Sequence, residues 1–276
     1  MSDFRLKVFQ SVAKNLSFTK ASQELFVSQP AITKHIQELE ATYQTRLFDR
    51  QGSKISLTES GRLLLEHCER ILEDYKRLEY EMHLLHNEYI GELKLGASTT
   101  IAQYVLPPLL GSFIGKFPQV NLSLLNGNSR EIEAALQEHR IDLGLVEGVF
   151  RLPNLKYTTF LEDELVAVVH SKSRLQLPEE ITPQDLPAIP LVLRERGSGT
   201  LDVIERSLQK HGVKLSSLHV LMYLGSTESI KLFLENSDCM GIVSIRSICK
   251  ELAAGTFRVV EYNKIEKPNW EFNTLR

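Results

Sequence analysis

Ser17-Phe18-Thr19-Lys20-Ala21-Ser22-Gln23-Glu24-Leu25-Phe26-Val27-Ser28-Gln29-Pro30-Ala31-Ile32-Thr33-Lys34 contains two helix starts close together. The Ser17 hydroxyl can cap the free amides of one helix, which runs through Ala21, Ser22 and Leu25 until Phe26-Val27 breaks the pattern. Ser28 caps the next helix, and Pro30 sits in its first turn, where a missing amide donor costs nothing. Two short helices joined by so brief a turn make a helix-turn-helix. Ahead of them Leu6, Phe9, Val12 and Ala13 recur at helical spacing and leave Lys7 and Lys14 outside, which predicts a first helix.

In the helix opening at Ser28, Ile32, Ile36 and Leu39 fall on one face, and Gln29, Thr33, Lys34 and Gln37 on the other. Such a polar face is more often only solvated. These side chains nevertheless suit DNA: Gln can pair with adenine in the major groove, Thr offers a hydroxyl and a methyl, and Lys can reach a phosphate or a guanine. Leu47-Phe48-Asp49-Arg50 and Gln51-Gly52-Ser53-Lys54-Ile55-Ser56-Leu57-Thr58 follow as two short alternating strands around a turn, a wing. Arg50, Ser53 and Lys54 stand where they could grip the phosphate backbone, which fixes register without reading sequence. The net charge of the whole chain is -3, yet residues 1–60 carry eight Lys/Arg against six Asp/Glu, the only net positive segment.

From Glu59 to about Tyr89 there is no proline, and the only glycine is Gly61. Leu64, Ile71, Leu78 and Leu85 recur every seven residues, interleaved with Cys68, Tyr75 and Met82, the two rows of a coiled-coil seam. So narrow a stripe needs a partner helix, which predicts self-association; the alternative is that this helix lies along the C-terminal region.

Beyond Gly91, apolar runs alternate with helical stretches: Leu93-Lys94-Leu95-Gly96, Val120 to Leu124, Ile141 to Val146, Leu165 to Val169, Leu191 to Leu193, and Gly241 to Val243. Strand and helix in alternation predict mostly parallel sheets covered on both faces. Three hydroxyl-rich segments stand between a strand and a helix: Ala97-Ser98-Thr99-Thr100, Gly197-Ser198-Gly199-Thr200 and Gly225-Ser226-Thr227. Helix starts carry unpaired amides and partial positive charge and so favour anions, although a lone Gly-Ser-Gly-Thr is more often just a turn.

Other chemistry is absent from the pattern. No HExxH, P-loop or GxGxxG occurs, the eight histidines are scattered, and Cys68, Cys239 and Cys249 show no paired spacing. No catalytic residues, metal or cofactor are expected. No apolar run is long enough to span a membrane, and the N-terminus lacks the basic-then-apolar order of an export signal, which predicts a cytoplasmic protein.

Ser17-Phe18-Thr19 with Ala21-Ser22, Val27-Ser28-Gln29-Pro30-Ala31, Ile36-Gln37-Glu38-Leu39-Glu40, Leu47-Phe48-Asp49-Arg50 and Leu57-Thr58-Glu59-Ser60-Gly61 together closely resemble the LysR-type transcriptional regulators. The resemblance implies a winged helix-turn-helix at residues 1–58, a linker and dimerisation helix at 59–90, and an effector-binding region at 91–276. That region would form two Rossmann-like α/β subdomains similar to type 2 periplasmic binding proteins, with the chain crossing near Phe160–Glu164 and returning near Tyr262–Pro268. Implied partners are double-stranded promoter DNA, met by Ser28, Gln29, Pro30, Thr33, Lys34, Gln37 and the wing, a second copy in a homodimer or tetramer, and RNA polymerase. The three hydroxyl-rich segments resemble the family's effector-binding positions, and the Arg194 to Thr200 run looks like that in members responding to sulfur or carbon-assimilation metabolites. Here the chain ends at Asn273-Thr274-Leu275-Arg276, short of the further helix that the resemblance implies. A transporter's solute-binding protein is the alternative raised by residues 91–276; it predicts an export signal, which the N-terminus lacks.

Overall fold

The computed structural model describes residues 4–51, 54–85, 89–178, 180–260 and 269–275. It divides into two compact units, Met1–Ile90 and Gly91–Arg276.

Local signals place the helices of the first unit. They are α1 (Phe4–Asn15), α2 (Phe18–Glu24) and α3 (Gln29–Tyr43). The Ser17 hydroxyl accepts from the Lys20 amide at 3.2 Å, and that of Ser28 from Ala31 at 3.4 Å, as the cap pattern predicts. The turn between α2 and α3 puts Phe26 at φ 54°, left-handed backbone that is uncommon for a bulky residue, with its ring 94% exposed. Phe9, Phe18 and Phe48 meet in the core at ring separations of 5.5 and 5.9 Å, and burying each contributes about 1.5–3 kcal/mol.

The wing is the antiparallel pair β1 (Phe48–Gln51) and β2 (Lys54–Leu57). Its approach from α3 is pinned: the Leu47 amide donates to the Glu40 carboxylate at 2.8 Å, and the Thr58 hydroxyl donates to the Arg46 carbonyl at 2.7 Å. That same hydroxyl accepts from the Gly61 amide at 2.9 Å and so caps α4 (Glu59–Leu84), a helix of 26 residues.

The heptad pattern needs one correction. Cys68 does not face outward with the seam. It is fully buried against α1, where its thiol donates to the Leu6 carbonyl at 3.3 Å, and Leu72 and half-buried Leu64 and Leu65 join the same core. The first turns of α4 already have a partner within their own unit, so the apolar face there follows that contact rather than the heptad. Exposed apolar positions of the seam start at Ile71.

The second unit is two sheets joined by one strand. Its elements are β3 (Gly91–Ser98), a π-helical turn (Ile101–Val105) leading into α5 (Leu106–Lys116), β4 (Val120–Gly127), α6 (Ser129–Gln137) and β5 (Leu143–Glu147). After β6 (Tyr157–His170) come β7 (Leu191–Arg194), α7 (Gly199–Lys210), β8 (Val220–Leu224) and α8 (Thr227–Glu235). The chain continues with β9 (Met240–Ser244), α9 (Cys249–Ala253), β10 (Phe257–Val260) and β11 (Asn269–Leu275). One sheet runs β4-β3-β5-β11-β6; the other runs β6-β9-β7-β8, with β10 also pairing β6.

β6 serves both sheets, changing partner from β11 to β9 between Glu164 and Leu165. The predicted return at Tyr262–Pro268 lies outside the described residues. The sheets are mixed rather than mostly parallel. Helix-linked β3, β4, β5, β7, β8 and β9 pair parallel among themselves, whereas every pairing made by β6, β10 or β11 is antiparallel. β11, next to the chain end, fills the gap between β5 and β6. An apolar core continues beneath both halves, from Ile101, Ala102 and Val105 to Leu165, Ile204 and Met240.

Candidate functional site

In the first unit the polar face of α3 is presented to solvent. Ser28, Gln29, Pro30, Lys34 and Gln37 are exposed and Thr33 is half-buried, above buried Ile32, Ile36 and Leu39. The Thr33 hydroxyl donates to the Gln29 carbonyl at 3.1 Å, and the Thr19 hydroxyl to Gln29 Oε1 at 3.4 Å. Those contacts leave the Gln29 amide protons and the Thr33 lone pairs able to pair outward. Arg50 lies on β1 and Lys54 on β2; Ser53 lies outside the described residues. Along α4, Ile71, Leu78 and Met82 are exposed, as is Leu85 just after it, and Tyr75 is half-buried.

In the second unit a cleft of about 310 Å³ is lined by Thr99, Gln103, Asn126, Asn128, Glu131, Glu195 and Ser226, together with Gly127 and Gly225. Its walls are helix starts. Thr99 precedes the π-helical turn, Asn128 caps α6 and Ser226 caps α8. Gly197, at φ 94°, brings the start of α7 against Asn128. Only three of these starts are legible as hydroxyl-rich loops. The fourth, at α6, carries a capping box in which the Glu131 amide donates to Asn128 Oδ1 at 3.0 Å and the Asn128 amide to Glu131 Oε2 at 2.8 Å. An Asn-x-x-Glu at the end of a strand was the signal for it. Gln103, on the turn after Thr100, has no comparable signal.

The predicted effector residues divide into two groups. Ser226 and Thr99 line the cleft, although the Ser226 hydroxyl is also committed to the Ser229 amide and the Thr99 hydroxyl to the Gly127 carbonyl. Ser98, Thr100, Ser198, Gly199, Thr200 and Thr227 are buried, the Ser198 hydroxyl capping α7. Two members of this second group, Thr100 and Thr200, are tied together by a residue outside the expected set. Glu147, the last residue of β5, accepts from the Thr100 hydroxyl at 3.3 Å and from the Thr200 hydroxyl at 3.0 Å on the same oxygen. It therefore ties the start of the π-helical turn to the start of α7.

Burial pushes the Glu147 carboxyl up to about 7, against the opposing pull of Arg194 and the two hydroxyls, with Asp163 adding to the rise. Arg194 is wholly buried at the end of β7, its guanidinium held by the Glu195 carboxylate at 2.9 and 3.0 Å and by the Gly225 carbonyl at 3.3 Å. Among the described residues, Ser98 Oγ, Glu147 Oε2 and Arg194 Nη1 are buried with no hydrogen-bond partner. Unpaired buried polar atoms are costly, and Ser98 and Arg194 are the chain neighbours of the cleft-lining Thr99 and Glu195.

At another edge of this region the two halves are bolted together. The Tyr104 hydroxyl donates to Glu228 in the first turn of α8, and buried Lys231 donates to Glu228 at 2.7 Å, Glu251 at 2.6 Å and the Ser247 carbonyl at 3.1 Å. Burial, followed by the Glu228 carboxylate, raises the Tyr104 phenol. Among the described residues no cluster of His, Cys, Asp and Glu is arranged to hold a metal, and no helix is long and apolar enough to cross a membrane.

Residues 4–62 match the bacterial regulatory helix-turn-helix protein, lysR family model, and residues 86–271 match the LysR substrate binding domain model. The HTH-type transcriptional regulator CysL of Bacillus subtilis (strain 168) is 30% identical over 258 residues, spanning 94% of this chain and 85% of that one. Full-length CbnR complexed with its target DNA superposes at a TM-score of 0.63, with 23% identity, over 100% of this chain and 93% of that one. The Synechocystis PCC6803 CcmR regulatory domain in complex with 2-PG gives 0.60, with 26% identity, over 67% of this chain and 87% of that one.

Proposed function

Because the chain belongs to the LysR family of DNA-binding transcriptional regulators, we propose that it grips promoter DNA as a dimer through paired α3 helices and wings, under control of a small anionic effector in the cleft. The observation that carries the DNA part is the face of α3, where Gln29, Lys34 and Gln37 stand exposed over buried Ile32, Ile36 and Leu39. Arg50, Ser53 and Lys54 of the wing would hold phosphates beside it.

Self-association is supported by the seam. Ile71, Leu78, Met82 and Leu85 are 40–76% exposed at heptad spacing, and Tyr75 lies between them. Two edge strands offer further apolar surface for a tetramer: β4 exposes Leu124 and Leu125, and β8 exposes Leu221, Met222 and Tyr223. The anionic character of the effector is supported by the converging helix starts and the Arg194 guanidinium. Thr99 and Ser226, which line the cleft, would contact it directly, while Ser98, Thr100, Gly197, Ser198, Gly199, Thr200 and Thr227 would support the lining from behind, Thr100 and Thr200 through Glu147. The relative CcmR was solved with 2-PG, which makes 2-PG a reasonable first ligand to try. Such a regulator would work in the cytoplasm, where promoter DNA and RNA polymerase lie. The solute-binding reading is not favoured, since the chain carries a helix-turn-helix.

Leu78→Glu tests the pairing. It places a charge on an exposed seam position and leaves the core of the first unit untouched. A duplex enriched from a random library by the wild-type protein should bind this variant at least tenfold more weakly, with circular dichroism unchanged. Undiminished binding would remove the seam from the account.

A further inference from the structure

Beside the reading face of α3 there is a groove of about 350 Å³, with Phe18, Ile36 and Phe48 at its base and Thr33, Gln37, Glu40 and Arg46 around it. Arg46 is not on α3. It follows the helix, in the short connection to the wing, and its side chain is exposed. We infer that Arg46 is a further DNA-contacting residue, gripping a backbone phosphate on the strand that passes beside the bases met by Thr33 and Gln37. The inference rests on the DNA-binding reading of α3 and adds to it a contact that carries no sequence preference.

Three observations converge on this assignment. The Arg46 backbone is fixed: its carbonyl accepts from the Thr58 hydroxyl at 2.7 Å, and the next amide donates to Glu40 at 2.8 Å. A guanidinium on a pinned backbone loses less freedom on binding than one on a loose loop. The one carboxylate in the groove, Glu40, is already engaged by the Leu47 amide, and among the described residues no ion pair joins it to Arg46. Finally, Thr33 and Gln37 line the same groove, so a strand whose bases meet them brings its phosphates within reach of a long cation. An arginine suits this position because its planar fork can take two phosphate oxygens at once.

The test compares wild type, Arg46→Met, Arg46→Lys and Gln37→Ala on two duplexes, the wild-type-selected one and a shuffled duplex of equal composition. Binding is followed by fluorescence anisotropy across a salt series. Arg46→Met should weaken both duplexes by a similar factor, roughly five- to twentyfold at about 0.1 M salt, and reduce the salt slope by about 0.9 per protomer bound. Arg46→Lys should restore most of the slope, and Gln37→Ala should weaken mainly the selected duplex. An unchanged slope in Arg46→Met overturns the inference, and so does a loss confined to the selected duplex, which would make Arg46 a reader of bases. If wild type enriches no duplex at all, the DNA-binding reading of α3 has failed, and this assignment fails with it.

Discussion

Gly199→Ala is expected to destabilise the second unit by roughly 3 kcal/mol or more, while Gly225→Ala, in the cleft lining, changes stability by less than about 0.5 kcal/mol. A methyl on Gly199 would lie 2.0 Å from the Glu147 carbonyl oxygen and 2.3 Å from its carbon, and both are backbone atoms that cannot swing aside. A methyl on Gly225 meets nothing within 4 Å. Gly199 opens α7 against the end of β5, and the next residue along, Gly148 at φ 120°, is packed so close that a Cβ on it would lie 3.1 Å from the Gly199 Cα. Adding the methyl must push α7 away from β5 and pull Thr200 off the Glu147 carboxyl. Urea denaturation followed by circular dichroism should therefore show the second unit's transition at lower denaturant, with that of the first unit unmoved. A Gly199→Ala protein within 1 kcal/mol of wild type would mean that the approach is looser than the structure has it.

Glu147→Gln should remove most of the pH dependence of the cleft. The Glu147 carboxyl is raised from 4.5 to about 7 in the fold, chiefly by burial. The folded protein therefore keeps a proton that the unfolded chain releases. This contribution to stability is complete below about pH 4.5 and is lost as pH climbs through about 7, a span worth of the order of 3 kcal/mol. On the proposed reading of the cleft, the same ionisation would govern an anionic ligand. Above pH 7 a charged Glu147 holds the Thr100 and Thr200 hydroxyls and repels an arriving anion, whereas below it the neutral acid can itself donate. Sulfate is a suitable probe, since its own charge is constant over this range. Calorimetry should find wild-type affinity falling at least tenfold from pH 6 to pH 8, and the Gln variant holding one value across both. Parallel curves for the two proteins would show that Glu147 does not govern the cleft.

How far the sequence could be read depended on whether a signal was local. Ser17, Ser28 and Pro30 act within one helical turn, so α2 and α3 were legible from neighbouring residues alone. Strands buried on both faces, such as β7, stood out as apolar runs, whereas β8 at a sheet edge leaves Leu221, Met222 and Tyr223 exposed and did not. Cys68 misled because a heptad count cannot know that α1 already covers that turn. Glu147 ends an apolar run whose reading stopped at Val146, and its meaning depends on Thr100 and Thr200, 47 and 53 residues further from it along the chain in opposite directions. The hydroxyl-rich loops were visible as loops. That Thr100 and Thr200 serve an internal carboxyl rather than face the cleft follows only from the packing that brings both loops to the end of β5.

Sedimentation of the wild-type protein with its selected duplex counts the copies that act together on DNA in the proposed mode. Complexes of two protomers per duplex are expected, or of four at higher protein concentration, with none holding a single protomer. A tight, sequence-specific complex of one protomer with one duplex would rule out paired binding.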